Sequence, residues 1–200
     1  MNIQSLASVV APPLEQRLLL EGVSWQRYET LLATLGDDFP NLRLSYREGS
    51  LEIMSTSPEH EELKKMIGML LEAYFQEARI RFHAMGSATF RKALKQRGLE
   101  PDECYCIGSK KEFPDLALEV VLSSGLIDKL DIYAGLGIPE VWQWQAGEFS
   151  IYGLRSSGYL VMSESELLPN LDLKVLAQYV NPAEQYESVM AFREQIRPKA

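Results

Sequence analysis

Seven consecutive residues, Leu116-Ala117-Leu118-Glu119-Val120-Val121-Leu122, constrain the fold more than any other stretch of the chain. A short apolar run of this kind reads as an interior strand covered on both faces. Such a strand needs layers of structure above and below it. A chain of 200 residues, 46% of them hydrophobic, can supply those layers within one domain. The run falls far short of the roughly 20 apolar residues of a membrane span, and Glu119 interrupts it. An ionised carboxylate inside such a strand is costly unless a cation or a hydrogen-bond network meets it. Glu119 therefore either faces solvent on a half-exposed strand or belongs to a site, and the apolar neighbours favour the site.

The surrounding sequence alternates helix and strand signals. Ser24 caps a helix whose apolar face is Tyr28, Leu31, Leu32 and Leu35, stopped at Gly36-Asp37-Asp38. Leu42–Tyr46 and Leu51–Met54 alternate around Arg47-Glu48-Gly49-Ser50 as a β-hairpin. Ser57 and Pro58 open the strongest helix, with Glu59, Glu61 and Glu62 where the dipole favours acids and Leu63, Met66, Ile67, Leu70, Leu71 and Tyr74 at helical spacing. Strands are predicted at Ile80–Met85, Glu103–Ile107, Leu116–Leu122 and Val141–Gln145. A short helix is predicted from Leu126 to Leu136, and a second hairpin at Ser150–Leu154 and Tyr159–Met162. Residues 172–196 read as helical, broken at Asn181-Pro182. The predicted class is mixed α/β: a central mixed sheet flanked by helices, with an N-terminal hairpin extension. Residues 1–20 have weak periodicity and are expected to form an arm, leaving residues 21–196 as one domain.

The N-terminus lacks the basic start and apolar stretch of a secretory signal, so a cytoplasmic location is expected. Cys104 and Cys106 have no further Cys or neighbouring His to complete a metal site, and read as reduced thiols. The net charge of −8 argues against a protein that coats nucleic acid non-specifically. Its distribution is uneven: residues 91–111 carry six basic side chains (Arg91, Lys92, Lys95, Arg97, Lys110, Lys111) against three acidic ones. Such a cluster suits either a solvated loop or contacts to phosphate.

Asp102 follows Pro101 at the start of the strand before Glu119. Neighbouring strands can bring these two carboxylates to one point, and two hard oxygen donors with positions left for water describe a Mg²⁺ site. Asp115 competes for the role. It shares a strand with Glu119, however, and would lie about 13 Å away at about 3.3 Å per residue. Lys129, near the start of the next helix, is placed to stabilise an attacking hydroxide and charge on phosphorus, although a lone helix lysine is ordinarily a surface residue. Glu59 and His60 flank the apolar stripe of the long helix and are candidates to support the site.

Several segments together resemble one family. They are Gly22-Val23-Ser24-Trp25, Gly49-Ser50-Leu51-Glu52-Ile53-Met54, Ser57-Pro58-Glu59-His60-Glu61, Gly98-Leu99-Glu100-Pro101-Asp102-Glu103-Cys104-Tyr105, Pro114-Asp115-Leu116-Ala117-Leu118-Glu119-Val120 and Ile132-Tyr133-Ala134-Gly135-Leu136-Gly137-Ile138-Pro139-Glu140-Val141-Trp142. In this order, over roughly residues 20–180, they resemble the Uma-type endonucleases of the PD-(D/E)xK nuclease superfamily. The resemblance implies a restriction-endonuclease-like core and metal-dependent phosphodiester hydrolysis. The motif aspartate falls on Asp102 and the motif glutamate on Glu119. The usual motif lysine would fall on Val121; relatives often supply it from the next helix, where Lys129 stands.

The resulting expectation is a Mg²⁺-dependent endonuclease of DNA, with Mn²⁺ as an alternative ion. Asp102 and Glu119 hold the metal, Lys129 positions the hydroxide, and Arg91, Lys92, Lys95 and Arg97 steady flanking phosphates. Nucleases that cut both strands often work in pairs, so a homodimer is one form open to the chain. A second reading is a catalytically impaired member of the fold that binds nucleic acid or protein; the acidic charge and Val121 favour it. Hydrolysis of a small phosphorylated molecule is a third, unsupported by any glycine-rich phosphate loop.

Overall fold

The computed structural model describes residues 15–35 and 38–197. Two sheets share the chain. The first is antiparallel throughout and five-stranded: β1 (Gln16–Leu20), β3 (Ser50–Ser55), β2 (Leu42–Arg47), β6 (Arg97–Leu99) and β5 (Phe90–Lys92), in that spatial order. The second is mixed and six-stranded: β11 (Gly158–Met162), β10 (Glu148–Arg155), β9 (Glu140–Gln145), β8 (Leu116–Val120), β7 (Glu103–Ile107) and β4 (Phe82–Ala84). Only β8 and β9 run parallel in it. A parallel neighbour requires a crossover. Here it is a helix, α3 (Lys129–Leu136), capped by the Asp128 side chain and ended by Gly137 in a left-handed conformation.

Five residues of the apolar run form β8 and are all buried, but the expected strand stops there: Val121 is half-buried and Leu122 is exposed in the loop that follows. One face, through Leu116, Leu118 and Val120, packs with Trp142 and Trp144 of β9 against α2 (Pro58–Glu77), α4 (Leu173–Gln178) and α5 (Gln185–Ile196). The opposite face, through Ala117 and Val141, packs against Ile132, Tyr133 and Leu136 of α3. The start of α2 is set by Ser57, whose hydroxyl accepts from the His60 amide at 3.2 Å, with Pro58 in the first turn. A third cluster joins α1 (Trp25–Leu35) to the smaller sheet, where Tyr28 stacks on Tyr46 with ring centroids 4.7 Å apart.

The predicted elements are present, with two further differences. The N-terminal hairpin is part of a larger sheet: the basic segment contributes β5 and β6, and Gln16–Leu20 is a paired strand rather than the end of an arm. Residues 1–14 of that expected arm, and Gly36-Asp37 of the expected helix stop, lie outside the described residues. No helix among the described residues is long and apolar enough to cross a membrane.

Candidate active site

The register of β7 on β8 pairs Glu103 with Leu118 antiparallel, so the next pair along brings Asp102 opposite Glu119. Both carboxylates are buried, Asp102 at 1% exposure and Glu119 at 2%. Asp102 Oδ2 accepts from the Val120 amide at 2.7 Å, which pins it beside the residue that follows Glu119. Its Oδ1 lies 2.8 Å from His60 Nε2. That contact is too oblique for a hydrogen bond, since Nε2 finds no aligned acceptor, so it acts as an ion pair. Glu119 Oε2 accepts from Lys129 Nζ at 2.6 Å, and its Oε1 accepts from the Tyr133 hydroxyl. Lys129 and Tyr133, four residues apart on α3, share the helix face that lies over the sheet. Asp115 is elsewhere: it accepts from the Ile107 amide and from Lys111, holding the β7–β8 connection.

The charges extend beyond the expected residues. His60 Nδ1 lies 2.6 Å from Glu15 Oε1, and Glu15 Oε2 accepts from Ser123 at 2.6 Å. Arg17 pairs with Glu15 at 3.2 Å and Glu52 at 2.8 Å, and bonds the Ser123 hydroxyl and carbonyl. Glu52, itself 1% exposed, accepts from the Leu126 amide. The smaller sheet therefore grips the 121–128 loop that leads into α3. Together with Ser123, Ser124 and Gln143, that loop, Glu119, Lys129 and Arg17 line a cleft of about 290 Å³ at the carboxyl end of β8.

The environment fixes the protonation states. Burial opposes the charge on His60, but Asp102 and Glu15 outweigh it and raise its pKa to about 9, so it is an imidazolium at neutral pH. Burial likewise opposes the Lys129 ammonium, and Glu119 and Asp102 outweigh it. Burial would raise Asp102, yet His60, Lys129 and the Val120 amide hold it low and ionised. Glu119 goes the other way: burial and the neighbouring Asp102 charge prevail over Lys129 and raise it. Burial and Glu119 push Tyr133 well up, so its hydroxyl stays a donor.

These groups suit a hard divalent cation. Four carboxylates (Glu15, Glu52, Asp102, Glu119) face three cations (Arg17, His60, Lys129), leaving negative charge in excess by one among these groups. Each carboxylate oxygen of the central pair has one protein partner and a second lone pair to offer. No cluster of three or more His, Cys, Asp or Glu ligands occurs among the described residues. Asp102 and Glu119 are the two carboxylates that could share one ion, and two carboxylates completed by water form the kind of oxygen set in which Mg²⁺ is bound.

Asp102, Glu119, Lys129 and His60 are brought together; the other expected residues are not. Glu59 is exposed in the first turn of α2, with no hydrogen bond or ion pair among the described residues. Arg97 is buried and committed to Asp131 at 2.9 Å and Glu48 at 3.1 Å. Lys92 bonds the Leu136 carbonyl and lies over the Phe113 ring at 4.2 Å. Lys95 is exposed, and Arg91 lines a different cleft beside Arg43, Thr89 and Glu100. None of these four basic residues lines the cleft at Glu119, where the cations are Arg17 and Lys129. Ion pairs within the fold consume Arg97, and a short β5–β6 hairpin carries the others away. Tyr133 was missed: its four-residue spacing to Lys129 puts both on one helix face, but nothing local says that this face meets Glu119. Glu15, Arg17 and Glu52 carried no local signal, because their partners lie up to 108 residues away.

A mixed sheet with helices on both faces, whose adjacent strands present a buried carboxylate pair to a lysine from the crossover helix, defines a restriction-endonuclease-like fold. The family model described as "Uma2: Putative restriction endonuclease" matches residues 25–180, and the chain belongs to that family. Comparison with curated proteins gives no match.

Proposed function

We propose that the protein is a metal-dependent endonuclease that hydrolyses phosphodiester bonds of DNA in the cytoplasm, with Asp102, Glu119 and Lys129 as its catalytic residues. The supporting observation is the buried Asp102–Glu119 pair with the Lys129 ammonium on Glu119 at the edge of a cleft. Asp102 and Glu119 would hold Mg²⁺ or Mn²⁺, which when bound supplies Lewis acidity at the phosphoryl group and a more acidic water. Lys129, kept protonated, places positive charge where the phosphoryl oxygens gain negative charge; it is an electrostatic stabiliser, not a proton acceptor. His60 is likewise protonated and cannot serve as a base at neutral pH; it fixes Asp102. Tyr133 orients Glu119 from below. The oxygen of water forms a bond to phosphorus as the bond to the leaving sugar oxygen breaks; the attacking water gives a proton to solvent, and the leaving oxygen takes one from solvent to become the sugar hydroxyl.

A catalytically impaired binding module is the second reading. It is favoured by the cations already on the pair, His60 on Asp102 and Lys129 on Glu119, which compete with a metal ion for the same carboxylates. Nicking of supercoiled plasmid under Mg²⁺ or Mn²⁺ titration separates the two. Asp102→Asn and Glu119→Gln are the informative variants, because each keeps side-chain volume and an oxygen that still accepts from the buried donors while removing the charge a metal needs. Alanine at either position leaves buried donors unpaired and is the poorer test. Wild type should cut only with metal, and both variants should fall to background. Lys129→Met should slow the chemical step more than it weakens DNA binding. Wild-type protein that binds DNA yet cuts none would leave the binding module.

A further inference from the structure

Val141-Trp142-Gln143-Trp144-Gln145 alternates along β9. Trp142 and Trp144 enter the core beneath α2, α4 and α5, and Val141 enters the core beneath α3. Gln143 therefore lies on the α3 face, beyond the part that helix covers, and lines the cleft with Glu119 and Lys129. The parallel register pairs it directly with Glu119. Asp102, Glu119 and Gln143 thus form one row across three adjacent strands, each step about 4.8 Å. Val121, next on the Glu119 face, lines the same cleft but offers no polar group.

Gln143 is half-buried, yet its amide makes no hydrogen bond among the described residues. The amide is open to the cleft one strand from Glu119, so its hydrogen bonds go to solvent or to whatever occupies the cleft. It carries two N–H donors and no charge, so it can hold an anion without competing with Lys129 for Glu119. We infer that Gln143 contacts the substrate, donating its amide N–H to a non-bridging oxygen of the phosphate being hydrolysed. The inference rests on the nuclease reading above and adds a residue that the family-type motif does not include. It replaces the basic segment as the neutral half of phosphate binding, with Lys129 as the charged half.

The experiment compares wild type, Gln143→Ala and Gln143→Glu in metal-dependent plasmid nicking. Binding of a fluorescein-labelled duplex is measured alongside by anisotropy with Ca²⁺ in place of Mg²⁺. Losing a hydrogen bond to a charged phosphate should lower kcat/KM about 10- to 100-fold in Gln143→Ala. The Mg²⁺ concentration for half-maximal rate should not change. Gln143→Glu should fall at least as far and bind the duplex more weakly, since its carboxylate repels phosphate. If Gln143→Ala cuts within twofold of wild type while Asp102→Asn is silent, the inference fails and the nuclease reading stands. A Gln143→Glu protein with wild-type rate and tighter Mg²⁺ dependence also overturns it, because the side chain would then be a metal ligand. If wild type cuts nothing, both fall together.

Discussion

Glu119 shows how far one residue can be read from its neighbours. A carboxylate within six apolar residues announced a partner, and the partner from the next helix, Lys129, was also legible from the chain. Asp102 was legible too, because strand order puts the start of one strand opposite the end of the next. The second donor to Glu119, Tyr133, and the chain of charges beyond His60 were not, since they depend on which surfaces meet in three dimensions. Tyr133 has a measurable consequence. Tyr133→Phe leaves Glu119 Oε1 without its donor in a buried site, which should cost about 1–3 kcal/mol in urea unfolding. It should also raise Glu119 further, moving any acid limb of the nicking rate to higher pH. Unchanged stability and an unchanged pH profile would mean that Tyr133 contributes packing only.

Among the elements, those with strong local chemistry were readable. The Ser57-Pro58 start of α2 and the two-residue turn at Glu48-Gly49, where both residues take positive φ, fall where the sequence puts them. Strands β5 and β6 were not readable: each has three residues, and basic side chains obscure any alternation. Their existence is explained by packing instead. A Cβ added at Gly98, in the middle of β6, would meet the Tyr28 hydroxyl at 2.4 Å. Tyr28 is fully buried and stacked on Tyr46, so it cannot retreat. Gly98→Ala should therefore destabilise by about 1–3 kcal/mol, read as a lower urea midpoint at constant slope. Because β6 leads within three residues to Asp102, metal-dependent nicking should fall as well. A neutral effect would show that α1 shifts freely over the smaller sheet.

At the scale of the molecule, the charge cluster is also the seam between the sheets. Arg17 and Glu52 of the smaller sheet, with Glu15 just before β1, reach Ser123 and Leu126 in the loop that follows β8 of the larger one. Burial would raise the Glu15 carboxyl, but His60, Ser123 and Arg17 outweigh it and hold it below its ordinary 4.5. Its ionised form thus adds stability fully present above pH about 4.5 and lost as pH falls through the lower folded value. Glu15→Gln should cost about 1–3 kcal/mol at pH 7. The gap between wild type and variant should then close below pH 4.5; a gap constant down to pH 3 would deny Glu15 its partners. Most of this seam hangs on β1, which among the described residues is an edge strand bonded only to β3. Edge strands open at lower free energy than strands paired on both sides. Each time β1 peels away, His60 loses one of its two anions and the 121–128 loop keeps only its Glu52 contact, so the site is only as long-lived as its weakest ladder. Amide exchange at Arg17–Leu19 should then set a ceiling on the fraction of molecules competent at any instant, and variants that merely loosen this border would register as lost activity with the catalytic groups untouched.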